Sequence, residues 1–552
     1  MYWISTALII LIFFYLIARY KKSKTKQKSI DDLKSNWGKS NSDNYFNFVA
    51  IEKYFHNNNH KEEAFHIISD RSAADLDFNA TFKIIDRTSS KIGQQYLYHK
   101  LRTIQEQDKL ATFNKLVLLF ENDEILRLQT QIELSNLNSD DSYCLEELVH
   151  SNAIEKSKIL PLLYILTALS FIFILTGIFY PVFFILLIPI FAVNMVFHYR
   201  NKWLVSNYID GVNQLAKTLV ISKKIAGFQA IKQLFPNPDF IKEIERLNLK
   251  IAFIGFEKNI NNEFATVFWL VSEIIKVLFN LEYIIFHSFI DSVTSKKREL
   301  DLLFQFVGEI DSAIATASLR ASDYELCIPQ FVKDKKIKTV AISHPLISSC
   351  IVNDLILNNE SLLLTGSNMS GKTTFIRSVA INSILAQTVN TCFAKEYIAP
   401  YFKIYSSIRI TDDLLENTSY YLDEVLTMKK LVDASMLDSP CLFVLDEIFK
   451  GTNTVERISG GKAILSFLNR ANNIVLVSTH DIELTEILSE ENFALYHFSE
   501  KIDTDILTFD HKLKKGKLKT RNAIKILELY DYPTDITDDA KATMRKTFQE
   551  ER

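Results

Sequence analysis

The sequence predicts an α/β domain with a phosphate-binding loop, an all-α region before it and about three transmembrane helices. Three observations lead to this fold class. The 13 glycines and 10 prolines among 552 residues are about a third of the roughly 12 % found on average, which favours helices over turn-rich β structure. Two long stretches, residues 1–18 and 159–197, carry no Asp, Glu, Lys or Arg. The segment GSNMSGKT, which begins at Gly366, follows a strand-like run.

The net charge and the cysteine content argue against several classes of protein. The chain has 63 basic and 66 acidic side chains, a net charge of −3. It therefore lacks the strong positive charge of an obligate nucleic-acid coat, although local basic patches remain possible. Its five cysteines are scattered and form no Cys-x-x-Cys pair. The sequence thus predicts neither a disulfide framework nor a zinc site, which fits a reducing cytosol.

Residues 1–18 predict a short transmembrane anchor. Six basic residues follow them directly, between Arg19 and Lys28. A cleavable signal peptide has its positive charges before the apolar part, so the observed order favours an uncleaved anchor whose start lies outside the cell. A signal peptide and an apolar terminal helix are the alternatives.

The second charge-free stretch, residues 159–197, predicts a transmembrane hairpin. As a helix its 39 residues would measure about 58 Å, twice the thickness of a bilayer core. Gly177 and Pro181 lie at its midpoint, where a turn between two antiparallel helices is expected. Basic residues flank both outer ends, so both ends are expected to face the cytosol. A buried helical hairpin of a soluble core is the alternative.

A third apolar region, residues 264–290, is expected to be a buried soluble helix. It contains Glu273, Lys276 and Glu282, and three charges near the centre of a bilayer would cost on the order of 8 kcal/mol. A single added crossing would also move the phosphate-binding loop to the outside. The sequence therefore predicts that this region does not cross the membrane.

The segment around Gly366 predicts a nucleotide site. Gly366, Gly371, Lys372 and Thr373 have the spacing of a phosphate-binding loop between a strand and a helix. In such a loop the backbone amides and the helix N-terminus hold the phosphates, the lysine reaches the β and γ oxygens, and the threonine hydroxyl binds Mg²⁺. The expected cofactors are ATP and Mg²⁺. The candidate nucleotide-binding residues of the loop are Gly366, Ser367, Asn368, Met369, Ser370, Gly371, Lys372, Thr373 and Thr374.

Two further strand-like runs end in polar residues that suit this chemistry. The run from Cys441 to Ile448 contains Asp446, a candidate Mg²⁺ ligand, and Glu447, a candidate general base for the attacking water. The run that starts near Ile474 ends at His480, a candidate sensor of the γ-phosphate at the carboxyl edge of a parallel sheet. A solvated strand end and a satisfied core histidine are the alternatives. The predicted catalytic residues are Lys372, Glu447 and His480.

These segments together resemble the MutS family of mismatch-repair ATPases. TGSNMSGKTTFIR contains the family's Asn-Met pair, DEIFKGTNT is similar to its Asp-Glu and Gly-Thr-x-Thr pattern, and STHDIELTEI resembles its Thr-His-x-x-Glu-Leu segment. The resemblance implies a P-loop ATPase of ABC or MutS type with an all-α lever and core domain. It also implies a homodimer in which a signature region, with Thr418 and Ser419 as candidates, reaches the partner's nucleotide, and DNA as a ligand.

The resemblance covers roughly residues 70–545, with the apolar hairpin as an interruption. The expected domains, in chain order, are an anchor (1–20), a basic juxtamembrane segment (21–70), a first part of the core (71–158), the transmembrane hairpin (159–199), further core and lever helices (200–330), the ATPase domain (331–522) and a helical tail (523–552).

Two functions are compatible with the sequence. The first is a membrane-anchored, MutS-related ATPase that engages DNA. The second is an ATP-driven membrane switch that acts on a protein or lipid partner without DNA. No Phe-x-Glu, the family's mismatch-reading wedge, occurs in the first hundred residues, which favours the second. Both place a multi-pass chain in the plasma (inner) membrane, in contact with lipid, with its ATPase domain in the cytoplasm.

Overall fold

The described residues form two compact units. The computed structural model describes residues 2–41, 45–57, 63–150, 159–236, 238–255, 265–367, 369–409, 420–449, 451–503, 506–518 and 523–550. The helical unit comprises Met1–Glu62, Ile85–Lys100 and Thr112–Ser322, and the α/β unit comprises Glu63–Ile84, Leu101–Ala111 and Asp323–Arg552. Both units are therefore assembled from segments that are separate in sequence.

The described residues as far as Ser322 are mostly helical, as the low glycine and proline content predicts. Its elements in chain order are α1 (Tyr2–Ser35), α2 (Phe48–Ile51), α3 (Lys53–Asn57), β1 (His66–Ile67), α4 (Asp70–Asp75), α5 (Phe78–Ile85), α6 (Lys91–Arg102), β2 (Thr103–Ile104), α7 (Gln107–Asn122), α8 (Glu124–Ser135), α9 (Cys144–His150), α10 (Leu160–Phe179), α11 (Leu187–Ala226), α12 (Gln229–Leu234), α13 (Asp239–Glu245), α14 (Asn248–Gly255), α15 (Ala265–Leu278), α16 (Leu281–Ser295) and α17 (Lys297–Arg320).

From Asp323 onward strands and helices alternate. The elements are β3 (Gln330–Phe331), β4 (Lys336–Ile342), β5 (Asn353–Asn358), β6 (Ser361–Thr365), α18 (Lys372–Val389), β7 (Glu396–Ala399), β8 (Lys403–Ser407), α19 (Tyr420–Ser435), β9 (Cys441–Asp446), α20 (Thr454–Leu468), β10 (Ile474–Thr479), α21 (Ile482–Leu488), β11 (Phe493–His497), β12 (Glu500–Asp503), β13 (Ile506–Phe509), β14 (Lys514–Lys515), α22 (Ala523–Leu529) and α23 (Thr534–Glu550).

A six-stranded sheet in the order β14-β11-β6-β10-β9-β8 forms the centre of the α/β unit. The strands from β11 to β8 are parallel, and β14 runs antiparallel to β11. The side chains of the central strands β6, β10 and β9 are buried almost throughout, as expected when helices cover both faces of a parallel sheet. The register pairs Thr365 with Thr479 and Asp446 with Ser478. The carboxyl ends of β6, β10 and β9 therefore lie side by side.

The segment Glu63–Ile84 joins the α/β unit through a buried carboxylate. Asp75 accepts hydrogen bonds from the hydroxyl of Ser406 (2.7 Å) and from the amides of Ile408 (3.1 Å) and Arg409 (2.8 Å). Sequence reasoning predicts one continuous core segment over 71–158, whereas the structure divides those residues between the two units. The reason is physical: contacts such as those of Asp75 are long-range and have no sequence pattern.

In the helical unit a carboxylate of α17 caps the start of α6. Asp311 accepts hydrogen bonds from the amides of Ser89 and Ser90, both 2.8 Å long, and from the Ser90 hydroxyl. It thereby satisfies amides at a helix start that have no intrahelical partner. A Cβ atom on Gly93 would lie 2.1 Å from a carboxylate oxygen of Asp311, so this close approach requires glycine.

The charge-free stretch forms two helices joined by a short turn. α10 ends at Phe179, a 3₁₀ turn spans Pro181–Leu186, and α11 begins at Leu187. Large apolar side chains cover the outer surface of both helices: Ile165, Phe171, Ile178, Val182, Ile188 and Val196 are each more than half exposed. An exposed apolar surface of this extent is typical of a lipid or protein contact.

Three helices among the described residues are long and apolar enough to cross a membrane. Within Leu160–Phe179 and Pro181–Lys202 only 17 % and 11 % of the apolar window is buried, whereas 83 % is buried within Lys297–Arg320. The third segment is α17, whose buried positions pack in the helical unit. α1 continues as one helix past residue 20, and membrane insertion of its first 18 residues stays a prediction.

The prediction of one buried helix over 264–290 is wrong in two respects. The described part of the region forms two helices, α15 and α16, separated at Asn280, which has φ +48°. Moreover, α15 exposes apolar side chains and buries its charged ones, Glu273 and Lys276. The sequence shows that α15 has apolar and charged residues. Which of them face the protein interior depends on the residues of the neighbouring helices.

Candidate functional site

Lys372 is the first residue of α18, and its side chain contacts the loop that precedes this helix. Its side chain is 2 % exposed, and its Nζ donates hydrogen bonds to the carbonyls of Gly366 (2.7 Å) and Ser367 (2.9 Å). The same nitrogen lies 3.3 Å from Nε2 of His480. The ammonium group is thus centred where a loop of this type receives phosphate oxygens.

The loop adopts backbone angles that require glycine at two positions. Gly366 has φ +145° and Gly371 has φ +106°, a region that L side chains rarely adopt. A Cβ atom on Gly366 would also lie 2.8 Å from the carbonyl oxygen of Phe498 and 2.8 Å from the Ser370 hydroxyl. Ser370 itself is buried and donates to the Ser367 carbonyl at 2.7 Å. The two glycines therefore shape the cradle between β6 and α18.

The two predicted Mg²⁺ ligands are adjacent. The Thr373 hydroxyl donates to Oδ2 of Asp446 over 2.8 Å. The other carboxylate oxygen of Asp446 accepts a hydrogen bond from the hydroxyl of Ser478 on the neighbouring strand. A hydroxyl and a carboxylate supply the oxygen ligands that Mg²⁺ prefers, together with phosphate and water. The residues present therefore fit this metal.

Glu447 and His480 form a pair at the ends of neighbouring strands. His480 Nε2 lies 2.6 Å from Oε1 of Glu447, and the Glu447 amide donates to the Ser478 carbonyl over 2.9 Å. Glu447 has φ +52° and Phe449 has φ +59°. Positive φ angles are costly for residues other than glycine and are concentrated at functional sites. The turn after β9 thus holds the Glu447 carboxylate beside His480.

Sequence reasoning missed Glu424, which holds this turn in place. Glu424 lies on α19 and is fully buried, and its carboxylate accepts a hydrogen bond from the Phe449 amide. A buried carboxylate bound to a backbone amide can fix a strained turn, because an unmade bond there would cost about 1–3 kcal/mol. The residue lies in the segment that resembles the family's signature region, but nothing in that segment distinguishes a buried glutamate from a solvated one.

A second missed contact fixes the segment after His480. Arg457 on α20 forms two hydrogen bonds with the carboxylate of Asp481, 2.9 Å and 2.7 Å long. A two-point contact between guanidinium and carboxylate restrains both position and orientation. The residue next to His480 is therefore tied to α20.

A cavity of about 380 Å³ opens beside the loop and the start of α18. Apolar side chains that line it include Ile347, Ile351, Met369 and Phe375. His511 also lines it and donates from Nδ1 to the Ser370 carbonyl over 3.0 Å. Sequence reasoning predicts four of its lining residues, Met369, Gly371, Thr373 and Thr374, as nucleotide-binding residues. It does not predict the rest, because the walls come from four separate segments.

The structure brings most of the predicted site residues together. Gly366, Ser367, Ser370, Gly371, Lys372 and Thr373 surround the loop, and Asp446, Glu447 and His480 lie at the strand ends beside it. Met369 and Thr374 are exposed at the loop and at the first turn of α18. Asn368, Thr418 and Ser419 lie outside the described residues.

Comparison with known proteins agrees with this arrangement. Residues 362–547 match the family model of MutS domain V. The DNA mismatch repair protein MutS of Natronomonas pharaonis is 30 % identical over 269 residues, which are 47 % of this chain and 31 % of that protein. The protein of the same name from Listeria monocytogenes serotype 4b is 30 % identical over 285 residues, 49 % of this chain and 33 % of that protein.

Residues 362–547 thus belong to the MutS family as its domain V. The α/β region that carries the MutS domain V match contains the loop, both strand-end carboxylates and His480. A large helical part precedes it, as the resemblance implies. The chain spans about a third of the length of the curated MutS relatives that it matches.

Proposed function

We propose that this MutS-family chain is a Mg²⁺-dependent ATPase held in a membrane. The observation that carries the proposal is the convergence of Lys372, Thr373, Asp446, Glu447 and His480 at the carboxyl ends of β6, β9 and β10. In open α/β sheets, ligands bind at this edge. The geometry supplies one group for each requirement of phosphoryl transfer to water: a cation, two metal ligands, a base and a polar partner for the base.

Each of these side chains has a defined task in the proposed reaction. Lys372 and the loop amides hold the ATP phosphates, while Thr373 and Asp446 hold Mg²⁺. When bound, Mg²⁺ neutralises charge on the phosphate oxygens. The Glu447 carboxylate accepts a proton from the attacking water, and His480 orients that carboxylate and faces the γ-phosphate. The cavity lined by Ile347 and His511 receives the base of the nucleotide.

Membrane insertion is proposed for residues 1–18 and for the α10–α11 hairpin. The exposed apolar surface of the hairpin supports it, because water would leave that surface unfavourably hydrated. With basic residues at both outer ends, the hairpin returns to the cytoplasmic side of the plasma membrane. The α/β unit then lies in the cytoplasm, where ATP is available.

Two copies of the chain are proposed to act together. By resemblance to the MutS family, Thr418 and Ser419 of one copy would reach the nucleotide of the other. Assembly and ATP turnover are then coupled, since hydrolysis removes the γ-phosphate that both copies contact. A nucleotide-dependent change in mass, measured in detergent, tests this proposal.

DNA is the proposed ligand of this ATPase, because the relatives carry the name DNA mismatch repair protein MutS. The second candidate is an ATP-driven membrane switch that acts on a protein or lipid partner. The exposed α10–α11 surface in the helical unit favours it. Retention of duplex, mismatched and branched DNA by solubilised protein at several salt concentrations separates the two, because phosphate-mediated binding weakens steeply as salt rises. Negligible retention at low salt would exclude the DNA proposal.

Replacement of Lys372 tests the ATPase proposal directly. Lys372→Ala is expected to abolish binding of a fluorescent ATP analogue, because it removes the buried ammonium from the loop. Lys395→Ala is the matched control: Lys395 is an exposed lysine of the same unit that pairs with Glu325 at 3.4 Å. Normal ATP binding by the Lys372→Ala protein would refute the assignment.

A further inference from the structure

The helix pair α15–α16 has a tip that lies beside the α10–α11 hairpin. α15 ends at Leu278 and α16 begins at Leu281. The carbonyl of Phe279 accepts a hydrogen bond from the Thr167 hydroxyl (2.8 Å), and the carbonyl of Leu278 accepts one from the Asn194 side chain (2.8 Å). Both donors belong to the charge-free stretch of residues 159–197.

These two contacts fix the depth of the tip. Thr167 is the eighth residue of α10 and Asn194 is the eighth residue of α11, so each lies about 10 Å from the start of its helix. The tip is therefore level with the interior of the hairpin helices. The same bonds satisfy carbonyls that a helix end leaves open, which is obligatory where lipid replaces water.

On α15 the exposed face is apolar and the buried face carries charge, which is the reverse of a surface helix in water. Leu270, Val271, Ile274 and Ile275 are 53 %, 52 %, 46 % and 44 % exposed, respectively. Glu273, in contrast, is 8 % exposed. A helix beside water directs its charged residues outward and its apolar ones toward the core. The polarity of α15 instead suits an apolar surrounding medium.

The two inward carboxylates of this helix pair, Glu273 and Glu282, have partners on α11. Glu273 Oε1 lies 3.0 Å from His198 Nε2 and 3.2 Å from Lys202 Nζ. Glu282 Oε2 lies 3.7 Å from the same His198 nitrogen. Within α15, Lys276 Nζ lies 3.6 Å from Glu273 Oε2. Paired charges that face the interior of a helix bundle are the form in which ionisable residues occur inside membranes.

We propose that α15–α16 is a re-entrant membrane hairpin and that the apolar face of α15 contacts lipid acyl chains. The inference rests on the proposed insertion of α10 and α11, since its exposed face continues their apolar surface. In this proposal the helix pair enters and leaves the membrane on the same side. Only Lys296 separates α16 from α17, and most residues of α17 are buried in the helical unit. The three charges of the region thus face protein, and the chain after them stays on the cytoplasmic side.

Spin labelling in lipid vesicles tests this proposal. The full-length chain is made without its five cysteines, and single cysteines are then placed at three sites: Ile274→Cys on α15, Ile172→Cys on α10 and Thr294→Cys near the exposed end of α16. The collision rates of each nitroxide with oxygen and with a water-soluble nickel chelate are measured by power saturation. A label at 274 is expected to match the label at 172, with oxygen collisions favoured several-fold relative to 294.

Three other outcomes would overturn a specific claim. If the label at position 274 has the collision rates of the label at 294 while the label at 172 is in lipid, α15 faces water and the proposed re-entrant hairpin is wrong. If 274 is shielded from both reagents, a second copy or another protein covers it rather than lipid. If 172 itself meets the nickel chelate, the proposed membrane insertion of the hairpin fails with it. Ile275→Cys repeats the measurement should the Ile274→Cys chain fail to fold.

Discussion

Nε2 of His480 lies 2.6 Å from Oε1 of Glu447, and the two side chains follow neighbouring parallel strands. This contact orients the Glu447 carboxylate. It also keeps the carboxylate close to the phosphate-binding loop, because Nε2 of His480 is 3.3 Å from Lys372 Nζ as well. The proposed base, the proposed phosphate sensor and the phosphate-binding lysine are thus directly connected.

Glu447→Gln is expected to keep ATP binding and to lose hydrolysis. The amide preserves the size and a polar contact to His480 but cannot accept the proton of water, and general-base catalysis contributes roughly 10²–10⁴-fold to rate. Single-turnover hydrolysis and ATP retention of the purified chain provide the measurement. Glu456→Gln, on the first turn of α20, serves as the control. Hydrolysis at the normal rate in the Glu447→Gln protein would show that another group is the base.

Glu424→Ala is expected to lower the rate of hydrolysis while leaving ATP affinity nearly unchanged. The variant removes the acceptor of the Phe449 amide, which lets the strained turn after β9 relax and moves the Glu447 carboxylate. Glu424→Gln retains a carbonyl acceptor and should restore much of the rate. A kcat that falls equally in both variants, or an unchanged kcat in Glu424→Ala, would contradict a positioning role for this residue.

Gly366→Ala is expected to weaken nucleotide binding at least tenfold. The new Cβ would collide with the carbonyl of Phe498 and with the Ser370 hydroxyl, and the loop would have to open. Gly516→Ala is the matched control, since Gly516 also has a positive φ, +101°, but has no atom within 4 Å of its Cβ position. It should cost about 1–2 kcal/mol of stability through backbone strain alone. Calorimetric titration with ATP measures the affinity of both variants. Equal ATP affinities of the Gly366→Ala and Gly516→Ala proteins would contradict the predicted collision at Gly366.

The α/β unit is expected to lose stability as the pH falls from 6.5 to 4. Burial lowers the pKa of His344 from 6.5 to about 4, so in this window the unfolded chain binds a proton that the folded chain does not, and stability decreases with decreasing pH. Between pH 7 and pH 5 this histidine alone should account for about 2 kcal/mol. His344→Asn keeps an acceptor for the Leu346 amide and should reduce the loss in denaturant unfolding. An identical pH dependence in both proteins would contradict the prediction.

The local parts of the site could be predicted from the sequence. The loop around Lys372 has a fixed spacing, and Asp446 and His480 each follow an apolar run that is a buried strand in the structure. Parallel strands place their carboxyl ends at one edge, so the convergence of these residues follows from the pattern alone.

Other parts could not be predicted, because they depend on contacts between distant segments. Glu424 meets the Phe449 amide across 25 residues, and Asp75 meets Ser406 across 331 residues. Neither acidic residue has a neighbouring pattern that indicates burial. Similarly, the charged residues of α15 indicate a soluble helix in the sequence, because the partners of Glu273, His198 and Lys202, lie on another helix.

α11 is one helix of 40 residues, about 60 Å long, that begins in the apolar hairpin and ends deep in the helical unit at Ala226. No break separates its two parts, so they share a single rotational phase. Inserting one residue between Tyr208 and Gly211 would turn everything before the insertion by about 100° relative to everything after it. The Glu273 partners on α11 and the face of Gly211 that contacts Cys144 would then no longer point the right way at the same time. Between these two sets of contacts, α11 therefore tolerates only insertions or deletions that amount to nearly whole turns.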